Sequence, residues 1–245
     1  MKSEWNERAE ENPCFYVSTF RKDWDDKSFF EWGEVQVQAV IDGLLREEGV
    51  APEDKVALEI GCGPGRMTRA LSSRFKWIHA YDVSDRYVQM AVDKNKHLRN
   101  VTFRVNDGSS FPDVDDGSID FAFSGWTMIH MPSKDVVVRN IEEVARTLRI
   151  GGIYKIDPRI KSGLGLKNSL VESRALAPGL FARLFKQDRL TMTSTFAGTT
   201  FRHNEILRIL RRNGLSARTV TEDDGSERFY GKKAMKTWFV GHRTS

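Results

Sequence analysis

The sequence has few of the features that mark extracellular, membrane-spanning or metal-binding proteins. Only two of its 245 residues are cysteines, Cys14 and Cys62, too few for a disulfide framework or a cysteine-based metal cluster. No apolar run approaches the ~20 residues of a membrane span, and the first eleven residues are too polar for a signal peptide. We therefore expect no membrane span and no metal, and a reducing cytoplasm as the location.

Neither sign of charge dominates. Lys and Arg number 38 against 34 Asp and Glu, which gives a formal net charge of +4. Nucleic-acid-binding proteins tend to show dense basic patches, whereas the stretches 113–120 and 222–227 are acidic. The net charge permits anionic substrates or nucleic acid without demanding either, and the acidic stretches make nucleic acid the less expected partner.

One glycine-rich stretch, KVALEIGCGPGR at 55–66, organises the chain. A short buried strand, Val56–Ile60, runs into a turn with glycines at 61, 63 and 65, and a helical pattern follows from Met67. Glycine adopts positive φ readily and lets a ligand approach the backbone. This pattern is typical of a nucleotide-binding strand–turn–helix unit.

The spacing of the glycines bears on which nucleotide binds. It is G-x-G-x-G, not the G-x-G-x-x-G of dinucleotide sites, and Pro64 removes one N–H from the loop. Glu59 would also place negative charge beside a phosphate. A cationic ligand without phosphate, such as S-adenosylmethionine (SAM), fits this loop better.

The stretch E-I-G-C-G-P-G-R resembles the first motif of class I SAM-dependent methyltransferases of the small-molecule type, and the resemblance covers roughly Val56–Gly152. It implies SAM as cofactor and backbone contacts to it after the fourth strand. The expected cofactor site comprises Tyr16, Glu59, Gly61, Cys62, Gly63, Gly65, Arg66, Asp82, Val83, Asn106, Asp107, Gly108, Ser124 and Gly125.

Two acids in this set have alternative explanations. Asp82 lies 21 residues after Gly61, close to the ~20 expected for an acid that binds a ribose diol; it could instead cap the helix that starts at Ser84. Asp107 follows the third strand, where the family commonly uses an acid to bind the adenine amino group; the sequence N-D-G also predicts an Asx turn there.

Strands alternate with helices over most of the chain, which predicts an α/β fold with a doubly wound, mostly parallel sheet. The resemblance implies a Rossmann-like sheet of seven strands with an antiparallel last strand, and residues 159–200, which break the alternation, predict a helical cap insertion. Further strands are predicted at Trp77–Asp82, Val101–Val105, Ile119–Phe123, Ile153–Asp157, Leu215–Thr221 and Lys236–Gly241. Helices are predicted from Glu34 to Gly49, Asp85 to Leu98, Ser133 to Leu148 and His203 to Arg212.

The expected organisation has four parts. An aromatic-rich flap and helix occupy 1–52, the SAM-binding core 53–158, a cap that binds the acceptor 159–200, and a helix with a strand hairpin 201–245. The first 32 residues show no sustained period; they either pack on the core or close the cofactor mouth, with Tyr16 or a tryptophan shielding the sulfonium.

Methyl transfer from a sulfonium is an in-line displacement that requires mainly positioning and exclusion of water. His130, after the fourth strand, is the candidate general base, since its ordinary pKa suits proton removal; it could instead only pack or cap. His203 stands at the start of a predicted helix, and we expect it to stabilise the N-terminal end of that helix and not to take part in catalysis. Asp157 faces the acceptor pocket or forms a turn with Pro158.

The sequence thus favours a SAM-dependent methyltransferase acting on oxygen or nitrogen of a small molecule, as a monomer or homodimer. An RNA methyltransferase and a non-catalytic SAM-binding protein remain alternatives. The residues after the fourth strand, Ser124-Gly125-Trp126-Thr127, lack the Asn/Asp-Pro-Pro-aromatic run of adenine-N6 enzymes.

Overall fold

A computed structural model describes residues 1–19, 21–161, 198–227 and 234–245. A seven-stranded sheet runs through it in the order β3-β2-β1-β4-β5-β7-β6. The strands are β1 Val56–Ile60, β2 Trp77–Asp82, β3 Val101–Val105, β4 Ile119–Ser124, β5 Leu148–Ile156, β6 Arg218–Asp223 and β7 Met235–His242. Only β7 pairs antiparallel, with both β5 and β6. The predicted α/β, Rossmann-like sheet with an antiparallel last strand is confirmed.

Helices pack on the two faces of this sheet. The described helices are α1 Lys2–Glu11, α2 Pro13–Val17, α3 Asp26–Val37, α4 Gly43–Glu47, α5 Arg66–Ser72, α6 Asp85–Lys94, α7 Lys134–Thr147 and α8 His203–Arg212. On β1, Leu58 packs in a core with α7 and α8, whereas Ala57 packs in a core with α3, α4 and α5. Because successive strand residues point to opposite faces, β1 is buried on both sides.

The N-terminal region is more helical than its sequence pattern indicates. Helices α1 and α2 lie where no period was predicted, and α3 begins at Asp26 rather than Glu34. Asp25 starts α3, because its carboxylate accepts the backbone N–H of Ser28 at 2.8 Å. The predicted single helix up to Gly49 is interrupted by a π-helical turn, Gln38–Asp42.

Three other predicted boundaries were wrong. Helix α6 ends at Lys94, not Leu98, because the Asn95 side chain donates to the carbonyl of Ala91 and accepts from Arg69. Strand β5 starts directly after α7, so the two glycines at 151–152 lie inside a strand instead of ending a helix.

The strand predicted at Leu215–Thr221 is Arg218–Asp223 in the structure. Leu215 forms only an isolated bridge with Arg243. The chain turns between α8 and β6, and the sheet pairing with β7 begins three residues later than the apolar pattern suggests.

Most of the predicted cap at 159–200 lies outside the described residues, so the cap stays a prediction. Its two ends are described and lie side by side. Ile160 bridges Phe201, the N–H of Lys161 donates to the Phe201 carbonyl at 2.8 Å, and Thr199 donates to the Met131 carbonyl at 2.9 Å. The segment therefore leaves and rejoins the core at one place, beside the loop that follows β4. Among the described residues, no helix is long and apolar enough to cross a bilayer.

Gly33 sets how closely α3 approaches α5. A Cβ built there would overlap the backbone carbonyl of Arg66, whereas a Cβ on exposed Gly43 meets nothing within 4 Å. We predict that Gly33→Ala lowers the free energy of unfolding by about 1–3 kcal/mol through this overpacking. Gly43→Ala should instead raise it by about 0.5–1 kcal/mol through helix propensity. Urea unfolding of both variants checks this pair, and an unaffected Gly33→Ala would show that the helices separate freely.

Candidate active site

A cavity of about 240 Å³ opens at the carboxyl ends of β1, β2, β3 and β4. Because these strands are neighbours and lie about 4.8 Å apart, their ends form a row. Three segments of this row line the cavity: the glycine loop after β1, Asp82 and Val83 after β2, and Asn106 and Gly108 after β3. The loop after β4 closes one side. This edge is where doubly wound sheets bind their ligands.

All three glycines of the loop have positive φ: Gly61 78°, Gly63 52° and Gly65 81°. A Cβ on Gly61 would overlap the side chain of Thr127, so glycine is needed there for space as well as conformation. Gly65 caps α5 and does not line the cavity, in contrast to Gly61 and Gly63.

Asp82 joins the glycine loop to the start of α6. Its Oδ2 accepts the N–H of Gly63 at 2.8 Å, and its Oδ1 accepts the N–H of Ser84 at 2.9 Å. Burial raises the pKa of this carboxyl, and the two N–H donors oppose the rise. Ser84, not Asp82, caps α6, because its hydroxyl accepts the N–H of Tyr87. Each Asp82 oxygen keeps acceptor capacity for a further donor, and its binding to a ribose diol stays a prediction.

Glu59 lies under the loop, 4% exposed. Burial raises its pKa to about 7, and the negative charge of Asp82 adds to the rise. The Thr68 hydroxyl, which donates to Oε2 at 2.6 Å, and the positive charge of Arg66 both lower the pKa and so offset part of the rise. The carboxyl therefore changes its charge near neutral pH.

Arg66 and Cys62 complete the glycine end of the cavity. The buried guanidinium of Arg66 donates to the side-chain amide oxygen of Gln36 and lies 5.8 Å from the Phe29 ring centroid. Burial, with the charges of Asp82 and Glu59, raises the pKa of Cys62 well above its ordinary value. Cys62 is thus a neutral thiol and a poor nucleophile.

The turn after β3 is held by its own side chains. Asn106 accepts the N–H of Gly108 at 3.1 Å, and Asp107 Oδ1 accepts the N–H groups of Ser109 and Ser110 at 2.7 and 2.8 Å. Asp107 is exposed and does not line the cavity. The Asx turn that was its alternative role is present, and its contact with adenine stays a prediction.

The loop after β4 is strained at Trp126, which has φ 58°, an uncommon value for a bulky residue. Asp157 Oδ2 accepts the Trp126 N–H at 2.6 Å and pairs with Lys236 Nζ at 2.6 Å. Lys236 Nζ also lies 5.0 Å from the Trp126 ring centroid. Asp157 therefore holds Trp126 against the cavity and does not itself line it. Ser124 is buried behind this loop, whereas Gly125 lines the cavity.

The N-terminal helices lie over the same cavity. Trp5 and Tyr16 line it, and Tyr16 donates to Glu11 at 2.5 Å. The Arg8 guanidinium lies 4.5 Å from the Trp5 ring centroid. The Ser84 hydroxyl at the start of α6 donates to Asn6 of α1 at 2.7 Å. Helices α1 and α2 thus lie over the cavity, and their role as a flap that shields the sulfonium stays a prediction.

His130 ends a short 3-10 helix, Met128–His130, and lines the cavity. Its ring meets Trp5 edge-on with centroids 5.6 Å apart. Its catalytic role stays a prediction. His203 lies outside the cavity lining and starts α8, where its Nε2 is 2.7 Å from the Thr219 hydroxyl.

Sequence reasoning missed several residues of the site. Besides the predicted ones, the cavity is lined by Met1, Trp5, Val17, Ser18, Thr19, Gln36, Ile60, Met67, Tyr87, Trp126, Thr127, Ile129, Met131 and Asn140. The stretch TMIHMP directly after β4 was a usable signal, since loops at strand ends face the site. Asn140, a lone amide in the apolar stripe of α7, was another. Within the described ranges, no group of three or more His, Cys, Asp or Glu could hold a metal ion.

Comparison with known proteins shows which proteins the chain resembles. A family model described as "Methyltransferase domain" matches residues 57–152. The structure superimposes on magnesium protoporphyrin IX methyltransferase from Synechocystis PCC 6803, solved with bound SAH, the demethylated product of SAM. The TM-score is 0.64 at 17% identity, covering 98% of this chain and 97% of that one.

Curated relatives match over part of the chain. Phosphoethanolamine N-methyltransferase 1 of Caenorhabditis elegans is 30% identical over 103 residues, 42% of this chain and 21% of the relative. The Arabidopsis thaliana protein of that name is 33% identical over 102 residues, 41% and 20%. The match thus spans about a fifth of the length of these relatives. Residues 57–152 match the model of a methyltransferase domain, and the chain has the fold of the class I SAM-dependent methyltransferases, proteins whose cofactor is SAM.

Replacing Glu59 by glutamine tests the buried carboxyl. Because its pKa in the folded protein is raised from 4.5 to about 7, the stability it contributes is complete below about pH 4.5 and is lost as pH rises through 7. Relative to Glu59→Gln, the wild type should lose about 3 kcal/mol of unfolding free energy over that range. Urea unfolding of both proteins as a function of pH measures the difference. Parallel pH profiles would contradict the raised pKa.

Proposed function

We propose that this protein binds SAM in the cavity at the carboxyl ends of β1–β4 and transfers its methyl group to an oxygen or nitrogen of a small-molecule acceptor. The observation that carries the proposal is the row of strand ends. The glycine loop, the Asp82 carboxylate and the turn after β3 follow one another over about 10 Å, two strand spacings. An amino acid, a ribose and a base can occupy these three positions in turn.

The charge of the glycine end supports SAM over a dinucleotide. Asp82 and Glu59 are acidic, and Asp82 already takes the Gly63 N–H that would otherwise face a phosphate. Arg66 and Gln36 line the same end and can meet a carboxylate. A ligand with an amino acid head and no phosphate satisfies both kinds of group.

The segments that cover the cavity support a small acceptor, because they leave little room for a large one. Helix α1 and the segment 16–19 lie across the site, and Trp5, Tyr87 and Trp126 give it aromatic walls. The named relatives methylate a small amine, phosphoethanolamine, which makes amino alcohols and their phosphates the first acceptors to test. A cytoplasmic location, and a monomeric or homodimeric state, stay predictions.

SAM supplies a methyl group activated by its sulfonium. The protein's own residues bind and orient the reactants: Asp82 and the glycine loop fix the cofactor, and α1 excludes water. Trp126, fixed by Asp157, forms the wall beside His130. For a hydroxyl or ammonium acceptor, His130 takes the proton that must leave; a neutral amine needs no base.

Transfer of tritium from methyl-labelled SAM tests the function. Phosphoethanolamine, ethanolamine and a metabolite extract are offered in parallel with a total RNA pool. We expect label in the small-molecule fractions. Label found only in RNA would establish the RNA methyltransferase alternative, and SAH binding without any transfer would establish the non-catalytic one.

Asp82→Asn should weaken SAH binding by ~1.5–3 kcal/mol, because one of the acceptor oxygens for the ribose hydroxyls becomes a donor. Asp85→Asn is the matched control: this exposed aspartate lies three residues further on and outside the cavity. Calorimetric titration of SAH into both variants and the wild type gives the comparison. NAD should bind to none of them. Equal SAH affinity in Asp82→Asn and the wild type would show that Asp82 does not bind the ribose.

His130→Gln should lower turnover by ~10²–10⁴-fold with SAH affinity retained, if a proton is removed from the acceptor. His203→Gln, outside the cavity, should leave turnover unchanged. Initial rates with the acceptor found above, measured across pH, decide the matter. A loss of less than about tenfold would return His130 to a packing role.

A further inference from the structure

Strand β6 forms one outer edge of the sheet. The sheet order ends in β5-β7-β6, so β7 lies on one side of β6, and on the other side no strand of the described chain follows. Arg218, Thr219 and Thr221 of β6 are exposed. An open edge of this kind presents unpaired N–H and C=O groups, which can pair with a further strand.

The pairing with β7 determines which residues direct their backbone groups outward. In an antiparallel pair, alternate residues bond to the partner strand and those between them point away. The N–H of Ser216 donates to His242 at 2.8 Å, and the N–H of Asp224 donates to Ala234 at 3.0 Å. The register between these two bonds has no shift, so the even-numbered residues of β6 bond to β7. The backbone groups of the odd-numbered residues, 219, 221 and 223, point outward and bond to no residue that the structure describes.

The strand is regular along its whole length. Natural edge strands are often protected by a proline, a bulge or charged side chains. The six residues of β6, RTVTED, include no proline, and all six pair with β7 in one register. Three of them are charged, so pairing with a further strand depends on whether that strand offers matching charges.

The charges of β6 match those of a second, antiparallel copy of the same strand. A twofold axis normal to the sheet at Val220 sets Thr219 opposite Thr221 of the other copy. Because these two residues have outward backbone groups, each such pair can exchange both N–H···O=C bonds. The same axis sets Arg218 opposite Glu222 on one face of the sheet, where opposite charges on facing residues are favourable. Moving the axis to residue 219 or 221 loses this charge pair.

Both charged residues retain groups for such a pair. Arg218 Nη2 contacts Glu47 and Glu48 of its own chain, at 3.0 and 3.2 Å. Lys155 donates to Glu222 Oε1. Among the described residues, nothing bonds to Arg218 Nη1 or to Glu222 Oε2. The charges of the second copy therefore extend this network.

The opposite edge of the sheet lacks this complementarity. Strand β3, VTFRV, contains one charged residue, Arg104, which pairs with Asp113 at 2.8 Å. An antiparallel second copy of β3 offers no opposite charge.

We propose that two copies of this chain associate through β6, antiparallel about a twofold axis at Val220, and so join their two sheets into one. The inference is independent of the proposed function. Because β5 and β6 both run antiparallel to β7, β6 points the same way as β5 and β4. The cavities of the two copies therefore open at opposite edges of the joined sheet, and each lies at least three strands away from β6.

Sedimentation velocity of the full chain over a range of concentrations tests the association. A pair of six-residue strands is smaller than the ~1,000 Å² or more that stable interfaces bury, so we expect a reversible dimer with a dissociation constant in the micromolar range. A wild type that remains monomeric far above that range overturns the inference, whatever the variants do.

Two double variants of the exposed threonines distinguish β6 from other surfaces. Thr219→Lys with Thr221→Glu sets lysine opposite glutamate in both cross-strand pairs and should retain the dimer. Thr219→Lys with Thr221→Lys sets lysine opposite lysine and should raise the dissociation constant at least about tenfold above that of the first variant. Both lose the contact of the Thr219 hydroxyl with His203, so they are matched in that respect. Equal dimerisation of the two overturns the inference.

Cysteine cross-linking tests the register. Val220→Cys places a thiol on the axis, in a pair without backbone bonds whose Cα atoms lie ~4.5 Å apart, so oxidation should link the dimer. Thr221→Cys is the matched control, because its two copies are offset by two residues and their Cα atoms lie ~8 Å apart, beyond the reach of a disulfide. The native Cys14 and Cys62 are buried.

Cross-linking of Thr221→Cys in preference to Val220→Cys would place the axis elsewhere and overturn the inference. A folded dimer in which neither variant links does the same, and thermal unfolding reports whether each variant folds. If Val220→Cys fails to fold, the wild type and the two lysine variants decide the matter.

Discussion

The site depends on the two hydrogen bonds that the Asp82 carboxylate accepts from the backbone. The carboxylate connects two segments that the sheet alone would leave independent, the glycine loop after β1 and the start of α6. The backbone adds to this link, since the N–H groups of Gly61 and Cys62 both donate to the Tyr81 carbonyl, at 2.7 and 2.9 Å. The loop is therefore shaped before any ligand arrives. Binding then has little backbone ordering to offset, which is the advantage of a preorganised site.

Three charged side chains, Glu59, Asp82 and Arg66, lie around this link. The pKa of Glu59 is raised to about 7, so part of its population is neutral at neutral pH, while Asp82 accepts hydrogen bonds from backbone N–H groups. Arg66 is held by a neutral amide, Gln36, on α3. A cationic group of a ligand near this end would favour the charged form of Glu59. Ligand binding and proton release are then coupled, as linkage requires.

Sequence reasoning predicted the parts of the fold that depend on local pattern. The strand–turn–helix at 55–72, the alternation that follows it and the spacing to Asp82 are written in short stretches of chain. The N-terminal helices were not predicted, because the positions of their aromatic and charged residues are determined by contacts with α6 and the cavity and show no helical period. Asn140 and Trp126 were missed for a related reason: their roles depend on Gly108 and Asp157, which lie about 30 residues away. Interactions of that range become visible only when the topology is known.

The closed base of the segment between Ile160 and Phe201 has a consequence for how this protein can change. Backbone bonds at the base hold the two ends together whatever lies between them. Because the entropy of closing a loop grows only slowly with its length, insertions and deletions in 162–197 cost the sheet little stability. The length and composition of this segment can therefore change while the sheet and the glycine loop keep their structure.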